Sequence, residues 1–92
     1  MSHHAPAFKD MFTSREHRFS IGAEEISGRY FLSIPVSNAT VDYEEYYEIS
    51  ASEFESWRGD PLAALEFAQQ CRDRQMDARL MIQPGAVRGT PT

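Results

Sequence analysis

The sequence has almost no cysteine and no long hydrophobic run, and each scarcity excludes a class of protein. Cys71 is the single cysteine among 92 residues, so the chain can form neither an internal disulfide nor a zinc site built from several thiolates. No apolar stretch approaches the roughly 20 residues that a membrane-spanning helix needs, and no secretory signal is evident. We therefore expect a cytoplasmic protein.

Positive charge is also scarce. Nine lysines and arginines stand against fourteen acidic residues, which gives a net charge of −5. An acidic domain repels phosphate backbones and anionic lipids, so we expect neither a nucleic-acid partner nor a membrane partner. Eight of the nine basic residues are arginines and alanine is frequent, a usage that often accompanies GC-rich coding and favours a bacterial source.

What is present is the composition of an ordinary globular domain, with 41% hydrophobic and 25% charged residues. We predict one folded domain over residues 8–83. A disordered N-terminus, 1–7, precedes it, and a disordered tail rich in glycine, proline and threonine, 84–92, follows. Residues 8–12 have apolar positions compatible with one helical turn or with a short docking strand.

Three segments have the period-2 alternation of half-buried strands, namely 15–22, 29–36 and 41–49. In the first, Gly22 is expected to end or bulge the strand. Folding the third back on the second about a loop at 37–40 pairs Val36 with Val41 and Tyr30 with Tyr47. This register puts Glu45 on the apolar face, which leaves three explanations open: a β-bulge, a buried pair with an arginine, or a different register.

The second half of the chain changes to helical periodicity. Ser52 and Glu55 fit a capping box, and Asp60 followed by proline starts a second amphipathic helix that reaches Met76. Residues 79–83 are compatible with a short fourth strand. The predicted fold class is therefore α+β, in β-β-β-α-α-β order, with a three- or four-stranded antiparallel sheet and helices packed on one face.

No catalytic or cofactor signature stands out. Cys71 and His17 are the only nucleophile and base that could pair, but a thiol on an apolar helix face is inert. The sequence contains no phosphate-binding loop, dinucleotide fingerprint, zinc-protease motif or nucleophile elbow, so we expect no cofactor, metal or catalytic site.

The most informative pattern is a surface. Residues 42–55 contain six acidic residues and no basic one, with tyrosines between them. Tyrosine is enriched at interfaces, and acidic strands attract basic partners. The residues predicted to bind a partner from the sheet face away from the helices are Arg29, Phe31, Asp42, Glu44, Tyr46 and Glu48.

We therefore predict a small protein-binding module whose partner is another, basic protein or a second copy of the chain. The simplest alternative is a solvated face whose charges prevent edge-to-edge pairing. Two further alternatives are a metal-binding or acid–base enzyme built on the carboxylates, and a small regulatory or ligand-sensing domain with a pocket between helix and sheet.

Overall fold

A computed structural model describes residues 5–85 and 87–92 and confirms the α+β class, with strands and helices in roughly the predicted order. The strands are β1 (Phe8–Ser14), β2 (Phe19–Glu24), β3 (Tyr30–Ser37), β4 (Asp42–Ile49) and β5 (Thr90–Pro91). The helices are α1 (Ala51–Gly59) and α2 (Leu65–Arg72), with short 3-10 turns at Pro61–Ala64 and Asp77–Arg79.

The sheet is an antiparallel meander in the order β1-β2-β3-β4, and β5 pairs with the end of β3. Residues 8–12 form part of a strand, β1, and not a helical turn. The register of β1 on β2 shifts at a bulge between Asp10 and Phe12. The strand predicted over 15–22 begins only at Phe19, because residues 15–18 form the turn that joins β1 to β2.

The register between β3 and β4 differs by two residues from the predicted one: Val36 lies opposite Tyr43, and Tyr30 opposite Ile49. The cause is the turn. The side-chain oxygen of Asn38 accepts hydrogen bonds from the backbone N–H groups of Thr40 and Val41, both at 2.8 Å, and this moves the loop one residue along. A shift of two residues keeps every side chain on its predicted face.

The core lies between the sheet and the helices. Phe54 of α1 stacks on Tyr30, and the α2 residues Phe67, Ala68 and Cys71 are buried against the sheet. The strand residues of this layer are Phe19, Ile21, Leu32, Ile34, Val36, Tyr47 and Ile49. Burial of these apolar side chains is the main stabilisation of the fold.

The first helix begins earlier, and the second helix ends earlier, than predicted. The capping box uses Ser50 and Glu53, two residues before the predicted pair: the Ser50 hydroxyl accepts from the Glu53 N–H, and the Glu53 carboxylate accepts from the Ser50 N–H. The second helix ends at Arg72, and Arg74 beyond it takes a left-handed conformation with φ 62°. The predicted fourth strand, 79–83, is reduced to one bridge between Leu80 and Tyr47.

Both ends of the chain contact the sheet where they are described. The N–H of Ala7 donates to the Glu24 carboxylate at 2.9 Å, while Met1–His4 lie outside the described residues. In the tail, Thr90–Pro91 forms β5 and the N–H of Gly89 donates to the Tyr43 hydroxyl at 2.7 Å. Ala86 lies outside the described residues.

Candidate binding face of the sheet

The sheet has a second face, turned away from the helices. Because side chains alternate along β4, its even-numbered residues lie here while Tyr43, Glu45, Tyr47 and Ile49 lie on the core side. From β1, Asp10 pairs with Gly22 and so shares this face. We call the resulting set the acidic face: Asp10, Asp42, Glu44, Tyr46 and Glu48.

Phe31, one of the predicted binding residues, is fully buried and therefore offers no surface to a partner. The ring of Phe8 covers it from β1, with centroids 5.4 Å apart, and also stacks on Tyr46 at 3.7 Å. Phe8 thus links the two outer strands of the four-stranded meander across this face. Gly22 lies beneath the Phe31 ring, where an added Cβ would sit 2.9 Å from Cζ and 2.0 Å from the Lys9 carbonyl oxygen.

Three other predicted binding residues already have partners. Arg29 forms an exposed ion pair with Glu48 at 3.0 Å, across the ladder between β3 and β4. The Ser37 hydroxyl donates to the Asp42 carboxylate at 2.5 Å. These side chains remain exposed or half-buried, and exposed pairs of this kind contribute about 0–1 kcal/mol, so a partner can compete for them.

Three carboxylates of the acidic face, Asp10, Asp42 and Glu44, form no ion pair among the described residues, and Asp42 accepts only from the neutral Ser37 hydroxyl. Burial raises the pKa of Glu44; a hydrogen bond with Ser33 lowers it in part, and the negative charge of Asp10 raises it again. Burial also raises the pKa of Asp10. The pKa of the Tyr46 phenol is also raised, by burial and then by the charges of Glu44 and Asp10. The centre of the face is therefore a site of unbalanced negative potential.

The carboxylates elsewhere behave differently. Hydrogen bonds from Ser27, Ala7 and Ile26 lower the pKa of Glu24 to about 2. A hydrogen bond from Arg88 lowers the pKa of Asp77. The fold therefore stabilises the charged forms of Glu24 and Asp77, but supplies no ion-pair partner to Asp10 and Glu44 among the described residues.

Glu45 does lie on the apolar face, and of the three explanations left open the buried pair with arginine is the correct one. Its carboxylate accepts from the guanidinium groups of Arg74 and Arg88, and from the Tyr47 hydroxyl at 2.9 Å. Burial opposes its ionisation, but the hydrogen bonds from Arg88 and Tyr47 and the charge of Arg74 outweigh it and lower the pKa. Arg88 also binds Asp77 at 2.7 Å, which ties the tail to the core side of the sheet.

Two concavities lie at opposite ends of the acidic face. At one end is an arginine cavity of about 330 Å³, lined by residues of the β1–β2 turn together with Ser20, Pro35 and Glu44. At the other end is a smaller apolar cleft of about 140 Å³, whose apolar walls are Pro6, Phe8, Ile26, Met81 and Ile82. Ile26 and Ile82 are 60% and 49% exposed, so the cleft presents apolar surface to solvent.

The described part of the chain does not bring together the residues of a thiol-based catalytic site or of a metal site. Cys71 is buried, and its surroundings raise the thiol pKa to about 12, mainly by desolvation. His17 lies 3.7 Å from Glu16, and no hydrogen bond joins it to Cys71 within residues 5–85 and 87–92. In the same residues, no three histidine, cysteine or acidic side chains are grouped closely enough to hold a metal ion.

Sequence reasoning missed Phe8 and Asp10 on this face, and Arg15 and Arg18 in the arginine cavity at its end. They come from β1 and its turn, whose position depends on long-range pairing rather than on local periodicity. One local signal existed: Gly22 inside an alternating strand indicates close approach of another group, here the Phe31 ring and the Lys9 backbone.

The fold and face define an α+β module with a four-stranded meander, one side covered by helices and the other acidic. Comparison with protein-family models, with curated proteins and with solved structures found no match for this chain. Among the described helices, none is long and apolar enough to cross a membrane.

Proposed function

We propose that this protein is a small binding module whose acidic face binds a basic segment of another protein. The observation that supports this is the pair Asp10 and Glu44, two exposed carboxylates on one face of the sheet that form no ion pair among the described residues and whose pKa values are raised, whereas those of Glu24 and Asp77 are lowered. A lysine or arginine from a partner would supply the missing cation. Such complementarity increases both association rate and specificity.

The apolar cleft supports the same function. Specific interfaces combine a desolvated apolar or aromatic anchor with a polar surround. Ile26 and Ile82 offer exposed apolar surface beside the Phe8–Tyr46 stack, at the edge of the acidic face. A segment with one apolar side chain flanked by basic residues fits this arrangement.

The net charge of −5 adds long-range attraction for a basic partner. A single buried thiol requires no oxidising compartment, so we place this interaction in the cytoplasm.

The test uses a fluorescein-labelled short peptide that carries several arginines around one leucine, with binding measured by anisotropy. We expect saturable binding that weakens as salt is added. The double substitution Asp42→Lys with Glu44→Lys should weaken binding by about tenfold, which corresponds to about 1.4 kcal/mol. Its melting temperature should not fall, because both side chains are exposed.

The matched control is Glu55→Lys with Glu66→Lys, which makes the same change in net charge on exposed helix positions. This control should weaken binding by less than about twofold. Equal losses in the two double variants would mean that the peptide senses only net charge, and the proposed face would be wrong. Light scattering tests whether the partner is a second copy of the chain. A dimeric mass that is lost in the Asp42→Lys with Glu44→Lys variant, but kept in the control, would show that it is.

A further inference from the structure

We propose that the arginine cavity binds a small zwitterionic ligand, with an oxyanion held by Arg15 and Arg18 and an ammonium group held by Glu44. The cavity, of about 330 Å³, is at the small end of the size range of ligand pockets. It is thus suited to a compact molecule rather than to a folded partner.

The two arginines carry the argument. The chain has eight arginines, and within the described residues six of them bond to protein groups through their guanidinium. Arg15 and Arg18 are the two that do not, and both line this one cavity. A guanidinium presents a planar fork of donors that matches carboxylate and phosphate oxygens, so two free forks in one cavity favour an oxyanion.

The turn that carries them is held in place before any ligand arrives. Arg18 has a left-handed backbone, φ 56°, which is uncommon for a residue with a side chain. Arg72 of α2 clamps this turn by donating to the carbonyl oxygens of His17 and Arg18, the latter at 2.6 Å. Strained backbone held by surrounding contacts is typical of binding sites, because it fixes donors in advance.

Glu44 is the reason to expect an ammonium group on the ligand. Its carboxylate lines the same cavity as the two arginines and has no ion-pair partner in the described chain. A ligand with an ammonium group opposite its oxyanion satisfies both ends, whereas a purely anionic ligand leaves Glu44 repelling it. Between the two ends, Ser14 and Ser20 offer hydroxyls, and Phe19 and Pro35 offer apolar surface.

This inference goes beyond the proposed function, because the ligand is a small molecule and its main contacts are the arginines of the turn. The two proposals share only Glu44. They fail separately, since peptide binding is tested at Asp42 with Glu44 and ligand binding at Arg15 with Arg18.

The experiment titrates the full chain with phosphoethanolamine and with β-alanine, followed by NMR amide shifts. Methyl phosphate and propionate serve as matched anions that lack the ammonium group. We expect saturable amide shifts confined to residues 13–20, to Ile34 and Val36 on either side of Pro35, and to Glu44 and its neighbours. We also expect tighter binding of each zwitterion than of its matched anion. The tighter of the two zwitterions identifies the oxyanion as phosphate or carboxylate.

Variants locate the site. Arg15→Gln with Arg18→Gln should weaken zwitterion binding by at least about tenfold, whereas Lys9→Gln with Arg58→Gln, the same charge change at exposed positions, should leave it within about twofold. Glu44→Gln should abolish the preference for zwitterion over matched anion. No saturable binding of either zwitterion, or equal binding by the Arg15/Arg18 variant, overturns the proposal.

Discussion

Glu44 and Glu45 are neighbours in the sequence, yet their side chains meet opposite surroundings. Strand alternation sends Glu45 to the core side, where Arg74 and Arg88 neutralise it, and Glu44 to the acidic face, where no described cation does. The two pKa values accordingly shift in opposite directions, downward for Glu45 and upward for Glu44. The same residue type is therefore stabilising at one position and destabilising at the next.

Replacing each glutamate by glutamine should change stability with opposite signs at pH 7. Glu45→Gln removes the charge that both arginines need, and we expect a loss of about 3 kcal/mol in the free energy of unfolding. This is the low end for a broken buried pair, because the arginine side chains keep 27% and 23% of their surface exposed. Glu44→Gln removes an uncompensated charge and should raise stability slightly.

Urea unfolding followed by the fluorescence of Trp57 measures both variants under one set of conditions. Equal losses of unfolding free energy in the two variants would contradict the placement of Glu44 and Glu45 on opposite faces.

At the scale of the elements, the tail is held by close backbone packing as well as by charge. A Cβ added at Gly89 would lie 2.6 Å from the Ser37 carbonyl oxygen and 2.7 Å from its carbon, both rigid backbone atoms of β3. At Gly85, four residues earlier, an added Cβ meets nothing within 4 Å. The two glycines are therefore a natural matched pair.

Gly89→Ala should detach β5 and lower the free energy of unfolding by about 1–3 kcal/mol, the usual effect of overpacking. Gly85→Ala should be neutral or slightly stabilising, because alanine restricts the unfolded chain. Amide hydrogen exchange of residues 88–92 should accelerate in the first variant only. Unchanged protection in Gly89→Ala would mean that the tail is not packed on β3.

The elements also show how far sequence reasoning extends. Alternation in β3 and β4 predicted the faces correctly, because a face depends only on the parity of a position. It could not predict the register, which the side chain of Asn38 determines, or the burial of Phe31, which depends on Phe8 from a distant strand. The outward-facing acidic residues of β4 could therefore be predicted from local pattern, whereas Asp10 and the arginine cavity needed the pairing of β1 with β2.

Over the whole molecule, acid should destabilise the fold in a defined range of pH. Folding lowers the pKa of Glu24 to about 2 from its ordinary 4.5, and lowers those of Glu45, Glu53 and Asp77. A lowered folded-state pKa gives stability that is complete above the unfolded value and lost as pH falls below it. The loss should thus run from about pH 4.5 toward pH 2.

Asp10 and Glu44 act with the opposite sign, since their raised pKa values mean that the folded state binds protons more tightly than the unfolded one. Their protonation should raise stability slightly as pH falls from neutral. Urea midpoints measured from pH 7 to pH 2 should therefore pass through a shallow maximum in mild acid before they fall. A profile that stays flat below pH 4 would contradict the arginine and backbone pairing of the other carboxylates.

The pairing of Glu45 with Arg88 also has a consequence for the order of events during synthesis. The two residues are 43 positions apart, so the ribosome completes β1 to β4 and both helices before it adds the second arginine. Until then the central carboxylate of β4 has Arg74 as its described cation, and its burial remains incompletely compensated. Stable folding of the nascent chain should thus wait for the last strand, a late step set by a long-range contact.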